Sequence, residues 1–211
     1  MRWGMVLDLR RCVGCQTCTI ACKQEHALPA GVQWRFVADC EVGTYPDVRR
    51  LFLPMQCMHC ADPPCVPVCP TGASRQRPDG IVWVAYEACV GCGYCAVACP
   101  YHARHLIHRA DGYFPEPTPP ERLLARPDRQ GVMTKCTFCK ERVDEGLARG
   151  LRPGVDPEAT PVCAVACIAN VILFGDLDDP EGPVARLVHE GRAVPLSAEC
   201  GTQPSVFYVV E

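Results

Sequence analysis

No apolar run in this chain is long enough to cross a membrane. The longest, Val162 to Gly175, contains Cys163, Cys167 and Asn170 and falls short of the roughly 18 residues a helical span requires. A basic surplus is also missing: Lys and Arg number 21 against 24 Asp and Glu, giving a net charge of −3 and a pI near 6.1. That balance leaves no electrostatic footprint for nucleic acid. The opening Met-Arg-Trp-Gly-Met-Val-Leu-Asp-Leu is too short and acidic for a secretory leader. Arg10-Arg11 is followed at once by Cys12, with no apolar region behind it. No nucleophile–base pair, phosphate loop or open metal site stands out, so no substrate site of its own is expected.

What the chain has is sulfur. Of its 18 cysteines in 211 residues, all but Cys40 and Cys200 fall into four runs. They read Cys12-x2-Cys15-x2-Cys18-x3-Cys22, Cys57-x2-Cys60-x4-Cys65-x3-Cys69, Cys89-x2-Cys92-x2-Cys95-x3-Cys99 and Cys136-x2-Cys139-x23-Cys163-x3-Cys167. Four thiolates hold one [4Fe–4S] cube, so the runs suffice for four [4Fe–4S] clusters. A disulfide scaffold predicts dispersed cysteines in a shorter chain. Zinc knuckles give no reason for a third cysteine three residues after the second. Inert buried thiols would not recur at one spacing. Four one-electron centres and little else make the chain an electron conductor.

The spacing also predicts which thiols share a cube. In two-cluster ferredoxins the fourth cysteine of a run ligates the other cluster, and proline commonly follows it. Pro70 follows Cys69 and Pro100 follows Cys99, and nineteen residues separate Cys69 from Cys89. Cys57, Cys60 and Cys65 are therefore expected to join Cys99, and Cys89, Cys92 and Cys95 to join Cys69. By exclusion, Cys12, Cys15 and Cys18 would take Cys167, while Cys136, Cys139 and Cys163 would take Cys22. Because each cube crosslinks four distant points, the iron-free chain should fold poorly.

Met5 to Leu9, Trp34 to Val37, Val48 to Leu53, Ile81 to Val84, Val171 to Phe174 (ended by Gly175) and Val206 to Val210 read as strands. Pro183 to Glu190 reads as a short helix. Strand, cluster loop and short helix recur, which predicts an α+β fold of two pseudo-symmetric ferredoxin-like halves. Residues 1–56 with 131–211 would form one half and 57–110 the other. Residues 111–130, with Pro115, Pro117, Pro119, Pro120 and Pro127, would be an extended connector. Pro153, Gly154 and Pro157 prevent a long helix between Gly150 and Pro161.

Outside the runs, Cys40 and Cys200 read as small buried hydrophobes. His59, between Cys57 and Cys60, is placed to donate to a cluster sulfur or simply to pack. His102, His105 and His108 recur every three residues, as a polar surface or one face of a helix of metal ligands. Lys23, Lys135 and Lys140 adjoin ligands and either offset cluster charge or end in solvent. Tyr86, Tyr94, Tyr101 and Phe138 flank the runs and would keep water out.

Beyond cysteine, the matching segments are Met5-Val6-Leu7-Asp8-Leu9, Cys22-Lys23-Gln24-Glu25, Cys65-Val66-Pro67-Val68-Cys69-Pro70-Thr71-Gly72-Ala73, Ala98-Cys99-Pro100-Tyr101, Lys135-Cys136-Thr137-Phe138-Cys139 and Phe174-Gly175-Asp176-Leu177-Asp178-Asp179-Pro180. On these and the four runs, nearly the whole chain resembles the four-cluster electron-transfer subunits of complex iron–sulfur molybdoenzymes. The relatives include polysulfide, thiosulfate, tetrathionate, dimethyl sulfoxide and arsenate reductases, with the short polysulfide- and thiosulfate-reductase-like branch most similar. The insertion between Cys139 and Cys163, and Ile168 in place of proline, depart from the shortest relatives. A similar extended fourth run occurs in subunits resembling phenylacetyl-CoA:acceptor oxidoreductase.

The resemblance implies a molybdopterin (bis-MGD) catalytic subunit as one partner and an integral-membrane, quinone-interacting subunit as another. It places the chain at the periphery of a bacterial or archaeal cytoplasmic membrane, held there through its partners. It implies an order too. The Cys12, Cys15, Cys18, Cys167 cube would face the catalytic subunit, followed by Cys22, Cys136, Cys139, Cys163. Next would come Cys57, Cys60, Cys65, Cys99, and Cys69, Cys89, Cys92, Cys95 at the quinone end. Some relatives replace a third-run cysteine and hold a three-iron cluster; Cys95 is intact, so four cubes are expected. The competing assignments are the equivalent wire of a hydrogenase or formate-oxidising complex, and a free polyferredoxin.

Overall fold

Met5, Val6 and Leu7 are all buried, so the first strand has apolar surface on both faces and needs cover on both. The computed structural model, which describes residues 1–109 and 112–210, supplies it. The order is β1 (Trp3–Asp8), α1 (Thr17–Glu25), β2 (Arg35–Thr44), β3 (Asp47–Gln56), β4 (Ser74–Gln76), β5 (Val82–Val84), α2 (Tyr94–Val97) and β6 (His105–Leu106). Then follow α3 (Pro119–Leu124), β7 (Met133–Thr134), α4 (Lys140–Ala148), α5 (Val162–Val165), β8 (Ile172–Asp176), α6 (Pro183–His189), β9 (Val194–Pro195) and β10 (Val206–Val209).

One four-stranded sheet runs β8-β1-β10-β9. Within it β1 pairs parallel with β10, Met5 opposite Val206, and antiparallel with β8, Met5 opposite Phe174. Strand side chains alternate between faces. Val6 and Phe207 therefore turn to a layer with Leu177 and Val184, the latter on α6. Trp3, Met5, Leu7 and Tyr208 turn to the opposite face, whose apolar cluster includes Cys18, Cys57, Cys60, Cys99 and Cys163. The sheet thus separates an ordinary helix layer from a core built around thiols.

The remaining pairings are the local ladders β2–β3, β4–β5 and β6–β7. β2 and β3 form a ten-pair antiparallel ribbon, buried at its base near Arg35 and Gln56 and exposed beyond Asp39. Both strands expected in this region are present and longer than expected, except that β2 begins at Arg35 and leaves Trp34 outside it. β8 runs through Gly175 instead of ending there, because Gly175 pairs with Gly4 on β1. No described helix is long and apolar enough to cross a membrane.

The proline-rich connector is not simply extended. Thr118 accepts from the Glu121 N–H while the Glu121 carboxylate accepts from the Thr118 N–H, and Pro119 and Pro120 open α3. Proline suits the first turn, where its missing N–H has no partner to lose. The junction expected at Ala110 and Asp111 lies outside the described residues. Cys40 and Cys200 are exposed, against expectation; Cys40 stands on the projecting ribbon and Cys200 in a tight 3-10 turn.

Candidate iron–sulfur sites

The cysteine loops are shaped by backbone that most residues avoid. In the first and third runs the residue before the second cysteine is glycine, with φ of +67° at Gly14 and +68° at Gly91. A Cβ on Gly91 would lie 2.3 Å from the Gly131 carbonyl oxygen, so no larger residue fits. In the second and fourth runs that position holds His59 and Phe138, at φ of +44° and +54°. Such a conformation costs a non-glycine residue about 1–2 kcal/mol. It is offset by contact: the two rings stack on one another with centroids 3.7 Å apart. The turns aim backbone N–H groups at sulfur. His59 donates to Cys57 Sγ at 3.5 Å, Phe138 to Cys136 Sγ at 3.5 Å, Ser74 to Cys69 Sγ at 3.4 Å and Val171 to Cys167 Sγ at 3.3 Å.

Two sets of four thiols each line a common space, and thiols of two further sets act on one another's ionisation. Cys57, Cys60, Cys65 and Cys99 line one pocket with Tyr101 and Arg104. Cys69, Cys89, Cys92 and Cys95 line another with Ser74 and Met133. Burial pushes the Cys139 thiol well up, and Cys163, Cys136 and Cys22 add to it. Burial also raises Cys12, with the Gly14 N–H opposing it and Cys18, Cys167 and Cys15 adding. In the Cys57 group, burial pushes Cys60 up to about 12; the Thr202 hydroxyl opposes, and Cys57, Cys65 and Cys99 add. At Cys69 burial is outweighed by the Ser74 N–H and the Thr71 hydroxyl and N–H, leaving a pKa of about 7.

Thiols that raise one another are poor neighbours unless something positive lies between them. Four sulfurs around a void form the donor set of an iron–sulfur cube. Among the described residues no three His, Cys, Asp or Glu side chains close around a single ion. Exposure differs between groups. Cys57, Cys60, Cys65 and Cys99 are all buried, as are Cys22, Cys139 and Cys163. Cys15 and Cys92 are exposed, and each belongs to one of the other two groups.

Several side chains around the thiols carry signals the sequence did not announce. Arg35 is 1% exposed. One of its terminal nitrogens donates to Met5 Sδ and Cys163 Sγ, both at 3.6 Å, while Nε and the other terminal nitrogen have no partner among the described residues. Burial opposes its charge, yet Cys163 and Cys18 hold its pKa above the usual value. Arg104 donates to Cys65 Sγ at 2.9 Å and Ser74 Oγ at 2.8 Å. His26 lies 3.3 Å from Cys139 Sγ, and burial, then Arg129, lowers its pKa to about 4. No spacing or motif marks Arg35 or His26; Arg104, five residues past Cys99, could have been suspected from position alone.

Of the residues the sequence did flag, Lys135 is buried and donates to the Val82 and Cys136 carbonyls. Lys23 donates to the Pro29 and Val32 carbonyls, and Lys140 pairs with Glu141. His59 is fully buried, and its Nδ1 accepts from the Val82 N–H at 3.1 Å. That contact puts the ring proton on Nε2, which has no partner among the described residues. Burial first, then Lys135 and Arg104, holds His59 well below its usual pKa, so it is neutral. Tyr101 and Phe138 are buried as expected, but Tyr94 is 62% exposed and shields nothing. His102 and His108 are exposed and His105 lies on β6, so no helical face of ligands exists there.

Fold and site together define a ferredoxin-like iron–sulfur electron-transfer protein. A family model described as "4Fe-4S dicluster domain" matches residues 48–111. Over 224 residues the chain is 39% identical to a selenate reductase subunit of Mesobacillus selenatarsenatis, covering 99% of this chain and 72% of that one. It is 37% identical to a tetrathionate reductase subunit of Salmonella typhimurium over 99% of this chain and 72% of the relative. With the iron–sulfur cluster-binding subunit of menaquinone reductase from Nitratidesulfovibrio vulgaris it shares 35% identity, over 99% and 89%. The chain belongs to the family of iron–sulfur electron-transfer subunits of molybdoenzyme reductase complexes.

Proposed function

We propose that the chain relays electrons through four [4Fe–4S] clusters between a molybdopterin (bis-MGD) catalytic subunit and a quinone-linked membrane subunit. The ligand sets are Cys12, Cys15, Cys18, Cys167; Cys22, Cys136, Cys139, Cys163; Cys57, Cys60, Cys65, Cys99; and Cys69, Cys89, Cys92, Cys95. The clusters supply one-electron storage; the chain supplies thiolates, N–H donors and a water-poor surround. The observation that carries this reading is the gradient of exposure: no thiol of the two middle sets is exposed and Cys136 alone among them is half-buried, while each end set has a thiol at the surface, Cys15 or Cys92. A conductor between two neighbours needs that pattern.

Exposed apolar side chains flank both ends in sequence: Val13 and Ile168 beside the first set, Val90 and Val97 beside the fourth. Such residues suit protein contacts. The matching turns at Gly14 and Gly91, and at His59 and Phe138, support two ferredoxin-like halves with 57–110 as one of them. The complex would sit at the periphery of the cytoplasmic membrane, held by its partners. His59 Nε2 is a donor available to sulfur.

Anaerobic purification of the assembled complex with metal analysis of each subunit tests the reading. About sixteen iron atoms on this chain and molybdenum on a neighbour are expected; zinc, or a nickel–iron partner, would refute it. Cys69→Ser tests the order. It should abolish quinone-linked turnover and leave substrate turnover with artificial donors largely intact, whereas equal loss of both in an assembled complex contradicts the order.

A further inference from the structure

Histidines aside, the buried charged side chains of the described residues are Arg35, Lys135 and Arg104, and no carboxylate is buried with them. Their positions are regular. Arg35, at the base of β2, donates to Cys163 of the second set, and Cys18 of the first set also acts on its charge. Lys135 precedes Cys136 of the second set and acts electrostatically on Cys65 of the third. Arg104 donates to Cys65 of the third set and senses Cys95 of the fourth. Each cation thus touches or adjoins one set and acts on the next in the proposed order. Arg104 also donates to Ser74, whose N–H donates to Cys69 of the fourth set, and Lys135 donates to the Val82 carbonyl beside the third. Three unrelated stretches of chain supply these cations, so the repeated spacing of cysteines does not account for the arrangement.

Of the three, Arg35 is under-partnered. Arg35 leaves Nε and a terminal nitrogen buried without an acceptor, and its remaining contacts are sulfur. A buried donor in a native protein calls for an acceptor. A cluster held by Cys163, or one held by Cys18, would supply that acceptor. Lys135 is pinned by two carbonyls and Arg104 by Ser74, so their charges are fixed in place.

We propose that Arg35, Lys135 and Arg104 are charge-compensating residues, one in each gap between consecutive clusters, each stabilising the reduced form of the two clusters it separates. The inference rests on the four-cluster reading. A cluster that accepts one electron gains one negative charge, and a fixed cation in a low-dielectric gap favours that state. It also screens the repulsion between two neighbours reduced at once, so electrons can follow one another along the row.

The test is a redox titration, followed by EPR, of the anaerobically purified complex with its partners. Arg35→Gln should lower the potentials of the first and second clusters by at least tenfold in the reduction equilibrium, about 59 mV for one electron. The third and fourth should stay put, and Arg35→Lys should restore the wild-type values. Arg104→Gln should give the complementary pattern, with the third and fourth clusters shifted. Unchanged potentials, or equal shifts at all four clusters, with iron intact, would overturn the proposal. If the glutamine variants load less iron, the lysine variants decide. Full loading with near-normal potentials upholds a charge role, and equal failure assigns these side chains to packing. Wild-type complex with fewer than four resolved centres would refute the four-cluster reading itself, which is a different result.

Discussion

The sharpest sequence signals were single residues that could do nothing else. Sixteen cysteines at fixed spacings left no comparable alternative, whereas Arg35 gave no signal because its meaning lies in what surrounds it after folding. Burying an unpaired charge costs several kcal/mol. Three such charges in a chain of ordinary stability require compensating negative charge. His59 illustrates a middle case. Its place in the second run suggested a role near sulfur, and the Val82 N–H bond then fixes the tautomer. His59→Leu leaves that N–H without an acceptor, so the loaded protein should lose about 1–3 kcal/mol, measurable as a lower denaturant midpoint under anoxia. Cys40→Ser and Cys200→Ser, at exposed positions, should leave iron content and stability unchanged.

Elements were legible where patterning was local. β1, β5, α6 and β10 follow from alternation, a turn or an opening proline. The length of the β2–β3 ribbon was not legible, since beyond Asp39 its partner strand alone holds it and its side chains face solvent. α3 was hidden by its own prolines, which sit where a helix tolerates them. The excursion before Cys163 shows how an irregular stretch is anchored. Gly146 on α4 lets Ala159 approach so closely that a Cβ at 146 would lie 2.3 Å from the Ala159 Cβ. Gly146→Ala should therefore displace the segment leading to Cys163, costing about 1–3 kcal/mol as overpacking does. Iron analysis should show preferential loss from the Cys22, Cys136, Cys139, Cys163 set.

At the scale of the whole molecule, the largest apolar cluster is interleaved with thiols from all four runs. Chelation of iron should accordingly dissolve tertiary structure well beyond the loops. Near-UV dichroism and protease resistance should fall together with iron content, while survival of a protease-resistant iron-free core would contradict this. The ferredoxin-like character and the mixed helix-and-strand make-up were readable from the sequence, because cysteine spacing is a local signal. Which face of β1 met the thiols was not readable, because Val6 and Met5 are equally buried and differ only in their neighbours. The parallel seam between β1 and β10 carries a further consequence. A ribosome delivers the first strand and its three loop cysteines long before the partner strand and Cys167 exist. The central sheet can therefore close only after nearly the whole chain has been made.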